Sequence, residues 1–464
     1  METLFYTTEW IFLLYFVGLN TGYISLNFIA IGTIHRCMDE NVLNLLPSAA
    51  TDIMPPVTLI LPAYNESSTI IGSVRAVLQL DYPEFEVVVV NDGSKDDTLQ
   101  SLIDAFDLHV FPEAYRVRIE TRDVNTVYQS AENNKLRVID KANGGKADAI
   151  NAGINMARYP LFCAVDADSI LQRDSLKRAV QPFLQDNSTV ATGGTVRIIN
   201  GCESKFGFMT QPGLPRSFLA LFQIVEYLRA FLFGRLGWSP LNALLIISGA
   251  FGVFHKETVV SVGGYRTDTV GEDMELVVRL HRILRTRKNP YRITYIPDPI
   301  CWTEAPEDLR TLGRQRIRWQ RGLAESLFMN LSLLLNPKTG TVGLLAFPFQ
   351  LVFELLGPVI EVFGMMILII GFSLGYISFD VFAVLLIATI GMGILLSFTA
   401  LMLEEASFHI YQRPRHLLIL IAIVFIENLG FRQLNSVWRI VGLAQWLFKT
   451  EQKWGEMKRV GQWK

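Results

Sequence analysis

Four cysteines in 464 residues, Cys37, Cys163, Cys202 and Cys301, include no CxxC pair. That scarcity and scatter exclude a disulfide framework and argue against a structural zinc site. Charge of either sign is also missing as a surplus: 42 Lys and Arg stand against 44 Asp and Glu, a net charge of -2. With an isoelectric point near 6.3, the chain carries no electrostatic footprint for nucleic acid. A lysine follows two glycines in "NGGK" (143–146), yet the GxxxxGK[ST] spacing is absent, so this is no Walker loop. Ahead of the first apolar stretch, Met1 to Glu9 holds two acids and no Lys or Arg. A secretory signal sequence needs the opposite flank.

What the chain has in abundance is apolar residues, 50% of the total, and a mean hydropathy of +0.30. They are concentrated at the two ends. Trp10 to Gly32 contains no charge and exceeds the roughly 20 residues that cross a bilayer. His35 and Arg36 follow it, which places the N-terminus outside and residue 36 onward in the cytoplasm. Near the other end, Thr341 to Tyr376, Asp380 to Leu403 and Leu417 to Ile426 are apolar runs. The basic "YQRPRH" (411–416) and a tail with Lys449, Lys453, Lys458, Arg459 and Lys464 put the last loop and the C-terminus inside. About four or five spans are expected. Glu354 and Glu361 interrupt the first of these runs seven residues apart. Carboxylates are costly in lipid, so both should face the protein interior or a watery path. Leu214 to Trp238 is apolar but broken by Arg216, Glu226, Arg229 and Arg235, the pattern of a surface-lying helix whose basic side chains reach headgroups.

The expected division is a transmembrane helix (1–36), a cytoplasmic domain with membrane-interface helices (37–335), a second membrane region (336–448) and a cytoplasmic tail (449–464). In the cytoplasmic part, "VTLILPAY" (57–64) and "FEVVVVND" (85–92) read as strands. "SSTIIGSVRAVLQL" (67–80) between them reads as a helix capped by Ser67 or Ser68. A second helix, "DDTLQSLIDAF", and a third in "KANGGKADAINAGINMAR" continue the alternation. Alternation of this kind predicts a parallel sheet with helices on both faces. Ligands collect at the C-terminal ends of such strands, where "AYNE", "NDGS" and "DADS" all fall. The polar insertion at 107–136 has no clear period and reads as a short hairpin or loop.

In "LFCAVDADSIL" (161–171) a buried strand ends in Asp166 and Asp168. Acids at alternate positions of an extended chain share a side, and they repel unless a cation lies between them. A hard divalent cation held jointly with phosphate oxygens resolves this; Mg2+ or Mn2+ fits and zinc does not. Asp92 is placed to accept a hydrogen bond from a base edge or ribose. Lys146 sits beside glycines that let backbone approach phosphates. Glu272 and Asp273 in "VGEDMEL" open a helix, either as capping acids at its positive end or as a base facing a sugar hydroxyl, which needs position more than a high pKa. In "RQRIRWQRG" (314–322), Gln315, Arg318, Trp319 and Gly322 share one helix face. Arg318 suits a diphosphate and Trp319 a sugar ring, unless the helix simply lies basic-side-down on a membrane.

The ordered set "AYNE", "NDGS", "NGGKADAINAG", "DAD", "SGAFG", "GED" and "QRIRW" resembles the processive inverting glycosyltransferases of family 2. These are the membrane synthases of cellulose, chitin, hyaluronan and poly-N-acetylglucosamine. The resemblance implies an α/β chain: a GT-A, Rossmann-like cytoplasmic domain joined to α-helical transmembrane segments and interface helices. It implies a UDP-sugar donor, a growing polysaccharide as acceptor, and a multi-pass position in the plasma membrane with or without an accessory subunit. By it, Tyr64, Glu66 and Asp92 contact uridine, with Lys146 and Asp148 near the donor. Asp166 and Asp168 take the metal–diphosphate, and Asp273, beside Glu272, is the general base. Gln315, Arg318 and Trp319 hold the diphosphate and the terminal sugar, and Ser248 and Gly249 line the acceptor site. "WTEAPED" (302–308) is closer to the hyaluronan, chitin and poly-N-acetylglucosamine synthases than to cellulose synthase. "KWGEMKR" (453–459) resembles their gating segment, with Trp454 covering the nucleotide and Lys458 or Arg459 meeting its phosphates. No appended domain for a cyclic dinucleotide is expected. The implied product is a β-linked polymer of N-acetylglucosamine or glucose; the competing expectation is a single sugar added to a lipid.

Overall fold

Uninterrupted apolar runs become the central strands because both faces of a helix-covered sheet are buried. In the computed structural model, which describes residues 2–39, 54–205 and 207–449, "FEVVVVND" is buried at every position. The strands in chain order are β1 (Val57–Ala63), β2 (Phe85–Asp92), β3 (Leu108–Val110), β4 (Val124–Ser130), β5 (Leu136–Lys141), β6 (Leu161–Val165), β7 (Ile170–Leu171), β8 (Thr189–Ile198), β9 (Glu203–Lys205), β10 (Phe208–Gln211), β11 (Phe251–His255) and β12 (Arg292–Thr303). β9 and β10 form a separate hairpin, and the rest make one sheet in the order β3-β4-β5-β2-β1-β6-β11-β8-β12-β7.

The predicted parallel sheet is its centre: β5, β2, β1 and β6 run parallel. Beyond that the sheet is mixed. β11 is antiparallel to both β6 and β8, with Phe251 paired to Val165. The chain enters β11 from the edge at which β6 ends, so Ser248 and Gly249 come to lie beside Asp166. The chain steps from β1 outward to β2 and β5, then returns to place β6 on the other side of β1. That reversal is the topological switch point at which a crevice opens. The 107–136 insertion adds β3 and β4, antiparallel strands that extend the edge beyond β5. The helix after β1 starts at Ile70 with Thr69 as its N-cap rather than either serine.

Among the described residues three helices, Trp10–His35, Phe379–Ser407 and Pro414–Leu447, are long and apolar enough to cross a membrane. Val342–Leu355 and Gly357–Ser373 make a fourth if the pair, bent by 45°, is one span. The bend falls just before Pro358, a residue tolerated only in a first helical turn. The Pro414–Leu447 helix is interrupted at Leu429 and Gly430, whose backbones are non-helical.

The two membrane-run glutamates face inward, as expected. Glu361 pairs with Arg432 at 3.0 Å and accepts from Ser436; Glu354 pairs with Arg439 at 3.1 Å and accepts from the Tyr23 hydroxyl. Both arginines belong to the Arg432–Leu447 helix and are also seven apart. The 214–238 segment departs from expectation. Arg216 is exposed, but two of the segment's charges turn into the protein rather than toward headgroups: Glu226 pairs with Arg316 at 2.7 Å, and Arg229 with the buried Glu427 at 3.0 Å. An ion pair inside the helix packing satisfies each charge at fixed geometry, which a solvated headgroup cannot do.

Candidate active site

The parallel strands deliver their polar ends to one edge: Tyr64 and Glu66 after β1, Asp92 ending β2, Lys141 ending β5, and Asp166 after β6. Between them the loop "NGGK" turns into the Lys146–Met156 helix. Gly145 has φ +90°, a conformation that L side chains rarely adopt. Asp92 organises this loop. Its carboxylate accepts from the Gly144 and Gly145 N–H groups at 3.0 and 2.7 Å, and pairs with Lys141 at 2.7 Å. Lys141, wholly buried, also pairs with Asp148 at 2.6 Å. Asp148 in turn accepts from the Arg122 N–H at 3.1 Å. Asp92 and Asp148 are therefore engaged by the protein itself, at 4% and 8% side-chain exposure, whereas Tyr64 is open at 39%.

Asp166 and Asp168 do not extend the strand. β6 ends at Val165, and a turn follows in which the Asp166 carbonyl accepts from the Ser169 N–H at 3.0 Å. The alternation expected of an extended chain does not apply in a turn. The cation beside Asp166 is Lys146, whose ammonium is bonded to its carboxylate. The same ammonium donates to the Gly249 carbonyl at 3.4 Å and lies 3.9 Å from Glu272. Burial opposes the charge of Lys146, but Asp166, Glu272 and Asp273 together push its pKa up, so it stays a cation. Among the described residues no three His, Cys, Asp or Glu side chains form a metal cage. The oxygen donors at the turn fit instead a hard cation that brings phosphate oxygens with it.

Asp273 stands in the first turn of the Glu272–Thr286 helix. Its Oδ2 accepts from the Gly249 N–H at 3.0 Å, and its Oδ1 from the Met274 N–H at 2.8 Å. Lys146, Ser248, Gly249, Glu272 and Asp273 line one pocket, backed by Tyr265 and Phe254. Burial, with a contribution from Asp273, pushes Glu272 up to about 7. A carboxyl raised in the fold binds a proton that the unfolded chain would release, so its contribution falls as pH rises from about 4.5 to about 7. The Tm should decline over that interval, and Glu272→Gln should flatten the decline. An unaltered slope in the variant would assign it to another group.

The Leu309–Met329 helix supplies the opposite wall. Trp319 is 44% exposed, its ring 6.5 Å from that of Tyr227. The buried Gln315 carbonyl oxygen has no hydrogen-bond partner among the described residues. Arg318 is half-buried on the same face. The fourth member of that face, Gly322, has a different task. A Cβ on it would stand 2.9 Å from the Cα of Gly271, the residue before Glu272. Two backbones meet there without side chains between them. Glu325 adds a clamp, accepting from the Val270 N–H at 2.9 Å and the Thr269 hydroxyl at 2.8 Å. Gly322→Val should therefore displace Asp273 and lower turnover by about a hundredfold, the scale of a 1 Å misplacement. UDP affinity should hold; wild-type turnover in the variant would show the contact to be incidental.

The structure thus brings Lys146, Asp166, Ser248, Gly249, Glu272 and Asp273 together, with Gln315, Arg318 and Trp319 on the facing helix. Trp454, Lys458 and Arg459 lie outside the described residues. Sequence reading missed Lys141, because one lysine at a strand end has no spacing signal; its clue is burial alone. It also missed Glu325, which lies one helical turn beyond Arg321 and Gly322.

Two family profiles match: "Glycosyl transferase family 2" over residues 58–232 and "Glycosyl transferase family group 2" over 161–402. The poly-beta-1,6-N-acetyl-D-glucosamine synthase of Staphylococcus aureus (strain COL) is 32% identical over 308 residues, 66% of this chain and 63% of that protein. Its Staphylococcus epidermidis counterpart is 28% identical over 292 residues, 63% of this chain and 60% of that protein. The matches thus span less than two thirds of these relatives. Among solved structures, the mannosyltransferase PcManGT from Pyrobaculum calidifontis, in complex with GDP-Man and Mn2+, covers 95% of this chain and 100% of its own at a TM-score of 0.57 and 18% identity. That likeness is one of fold, and the fold is GT-A. With the second profile matching more than half of its length, the chain belongs to glycosyl transferase family group 2.

Proposed function

We propose that this protein is a membrane-embedded processive β-glycosyltransferase that polymerises UDP-N-acetylglucosamine and passes the product across the bilayer. The observation that carries the reading is the Asp166–Lys146–Gly249–Asp273 chain of contacts at the β1/β6 switch point. The names of the curated relatives favour N-acetylglucosamine over glucose as the donor sugar. The wall bearing Gln315, Arg318 and Trp319 packs directly on the Arg432–Leu447 helix: a Cβ on Gly442 would lie 2.5 Å from the Ile317 carbonyl oxygen. That contact supports an acceptor site continuous with the membrane region. Residues 1–36 and 336–448 would form the membrane part around the cytoplasmic 37–335.

In this reading the Asp273 carboxylate takes the proton of the acceptor hydroxyl as that oxygen attacks the anomeric carbon. The bond from that carbon to the β-phosphate oxygen breaks, and the configuration inverts. Lys146 and Arg318 stabilise the charge that develops on departing UDP. Asp166 and Asp168 would hold Mg2+ or Mn2+, which when bound neutralises the diphosphate as a Lewis acid. Tyr64, Glu66 and the Asp92-supported loop would receive uridine. Trp319 offers a face for a sugar ring, and the unpaired Gln315 oxygen accepts a sugar hydroxyl.

The test is UDP release and product size from detergent-solubilised protein given UDP-N-acetylglucosamine, UDP-glucose or UDP-glucuronate separately, with Mg2+ or Mn2+. Long polymer from UDP-N-acetylglucosamine is expected. Release with only one sugar transferred would favour the lipid-directed reaction or a requirement for an accessory subunit. No release from any of the three would overturn the donor class.

A further inference from the structure

We propose that a second cleft, at the end of the Lys146–Met156 helix away from Lys146, binds a phosphate-bearing small molecule. The cleft measures about 290 Å³ and lies between the Glu113–Arg118 segment of the 107–136 insertion and the C-terminal end of the Lys146–Met156 helix. It shares no lining residue with the pocket around Asp273. Along that helix the first pocket is lined by Lys146 and Ile150 and the cleft by Ile154, Asn155 and Met156.

One side chain ties the insertion to the end of the helix. Asn155 accepts from the Arg118 and Ile119 N–H groups at 3.0 and 3.1 Å and donates to the Ile119 carbonyl at 2.8 Å. The cleft wall is thus a built feature rather than a loose loop.

Its charges do not cancel. Glu113 is shared by Arg137 at 2.6 Å and Arg158 at 2.7 Å, and Arg118 pairs with Glu257 at 2.5 Å. Arg116 is exposed and has no carboxylate within 4 Å among the described residues; Lys256 has none either, donating instead to the Ala157 carbonyl at 2.9 Å. The negative end of the helix would repel an anion, but Arg137 donates to the Met156 carbonyl at 3.0 Å and Lys256 takes that of Ala157. Two cations without carboxylate partners therefore face a cleft with Tyr115 on one side and Val260 on another. A flat apolar group with a phosphate attached meets each of these features: ring against Tyr115, oxygens against Arg116 and Lys256.

The probe is ADP, titrated calorimetrically into the full chain already saturated with UDP and Mg2+. One ADP per chain is expected, without displacement of UDP. Arg116→Ala with Lys256→Ala should weaken it at least tenfold. Arg116→Ala alone, at an exposed residue, should weaken it severalfold and guards against misfolding of the double variant. No binding, competition with UDP, or affinity unmoved by the Arg116 substitution would each overturn the proposal.

Discussion

Asp273→Asn is expected to lower sugar transfer by about a thousandfold while UDP still binds, as removal of a general base commonly costs two to four orders of magnitude. The amide keeps the shape of the side chain, and its oxygen can still accept from the Gly249 N–H, 3.0 Å from Oδ2 in the native protein. The Gly249 bond holds the side chain in place, while proton acceptance and the Oδ1 bond from the Met274 N–H at 2.8 Å are lost. Turnover should fall with little change in the apparent KM for donor. Native-like turnover in the variant would remove Asp273 from the chemistry and leave it as a helix-capping acid.

The second large effect concerns a residue that touches no substrate. Lys141→Met leaves Asp92 and Asp148 buried without their common cation. Breaking a buried pair from one side typically costs about 3–5 kcal/mol, which a fall in Tm of roughly 10 °C would report. Donor binding should weaken as well, because Asp92 orients the Gly144 and Gly145 amides. Combining Lys141→Met with Asp92→Asn and Asp148→Asn should recover part of the Tm but not the donor affinity. An unchanged Tm in the single variant would mean that water already shields these carboxylates.

The parallel centre of the sheet was legible because "VTLILPA" and "FEVVVVND" leave no alternative to burial on both faces. The membrane glutamates were legible for a related reason, since a charge in an apolar run must find a partner. What stayed hidden depends on contacts between distant segments. Nothing near "DAD" announces that the cation beside Asp166 is a lysine twenty residues earlier in the chain. Nor does local pattern distinguish an arginine bound for a headgroup from Arg229, bound for Glu427. The direction of β11 was equally unreadable, because a short strand with four buried residues pairs as well either way until the preceding loop fixes the edge of entry. The strand rule for alternating acids misled at Asp166 and Asp168 because it presumes an extended backbone one residue too far.

The side-chain-free contact of Gly271 with Gly322 carries a lesson for anyone building chimaeras. If the proposed roles hold, the Leu309–Met329 helix and the turn bearing Asp273 cannot be exchanged separately between related chains. A donor helix with anything larger at 322, or without a carboxylate at 325, would arrive with its aromatic and basic face intact yet leave the base misplaced. The transferable module is the pair, from Thr269 to Asp273 together with Gln315 to Ser326. Grafts that respect that boundary should inherit both acceptor grip and reactivity.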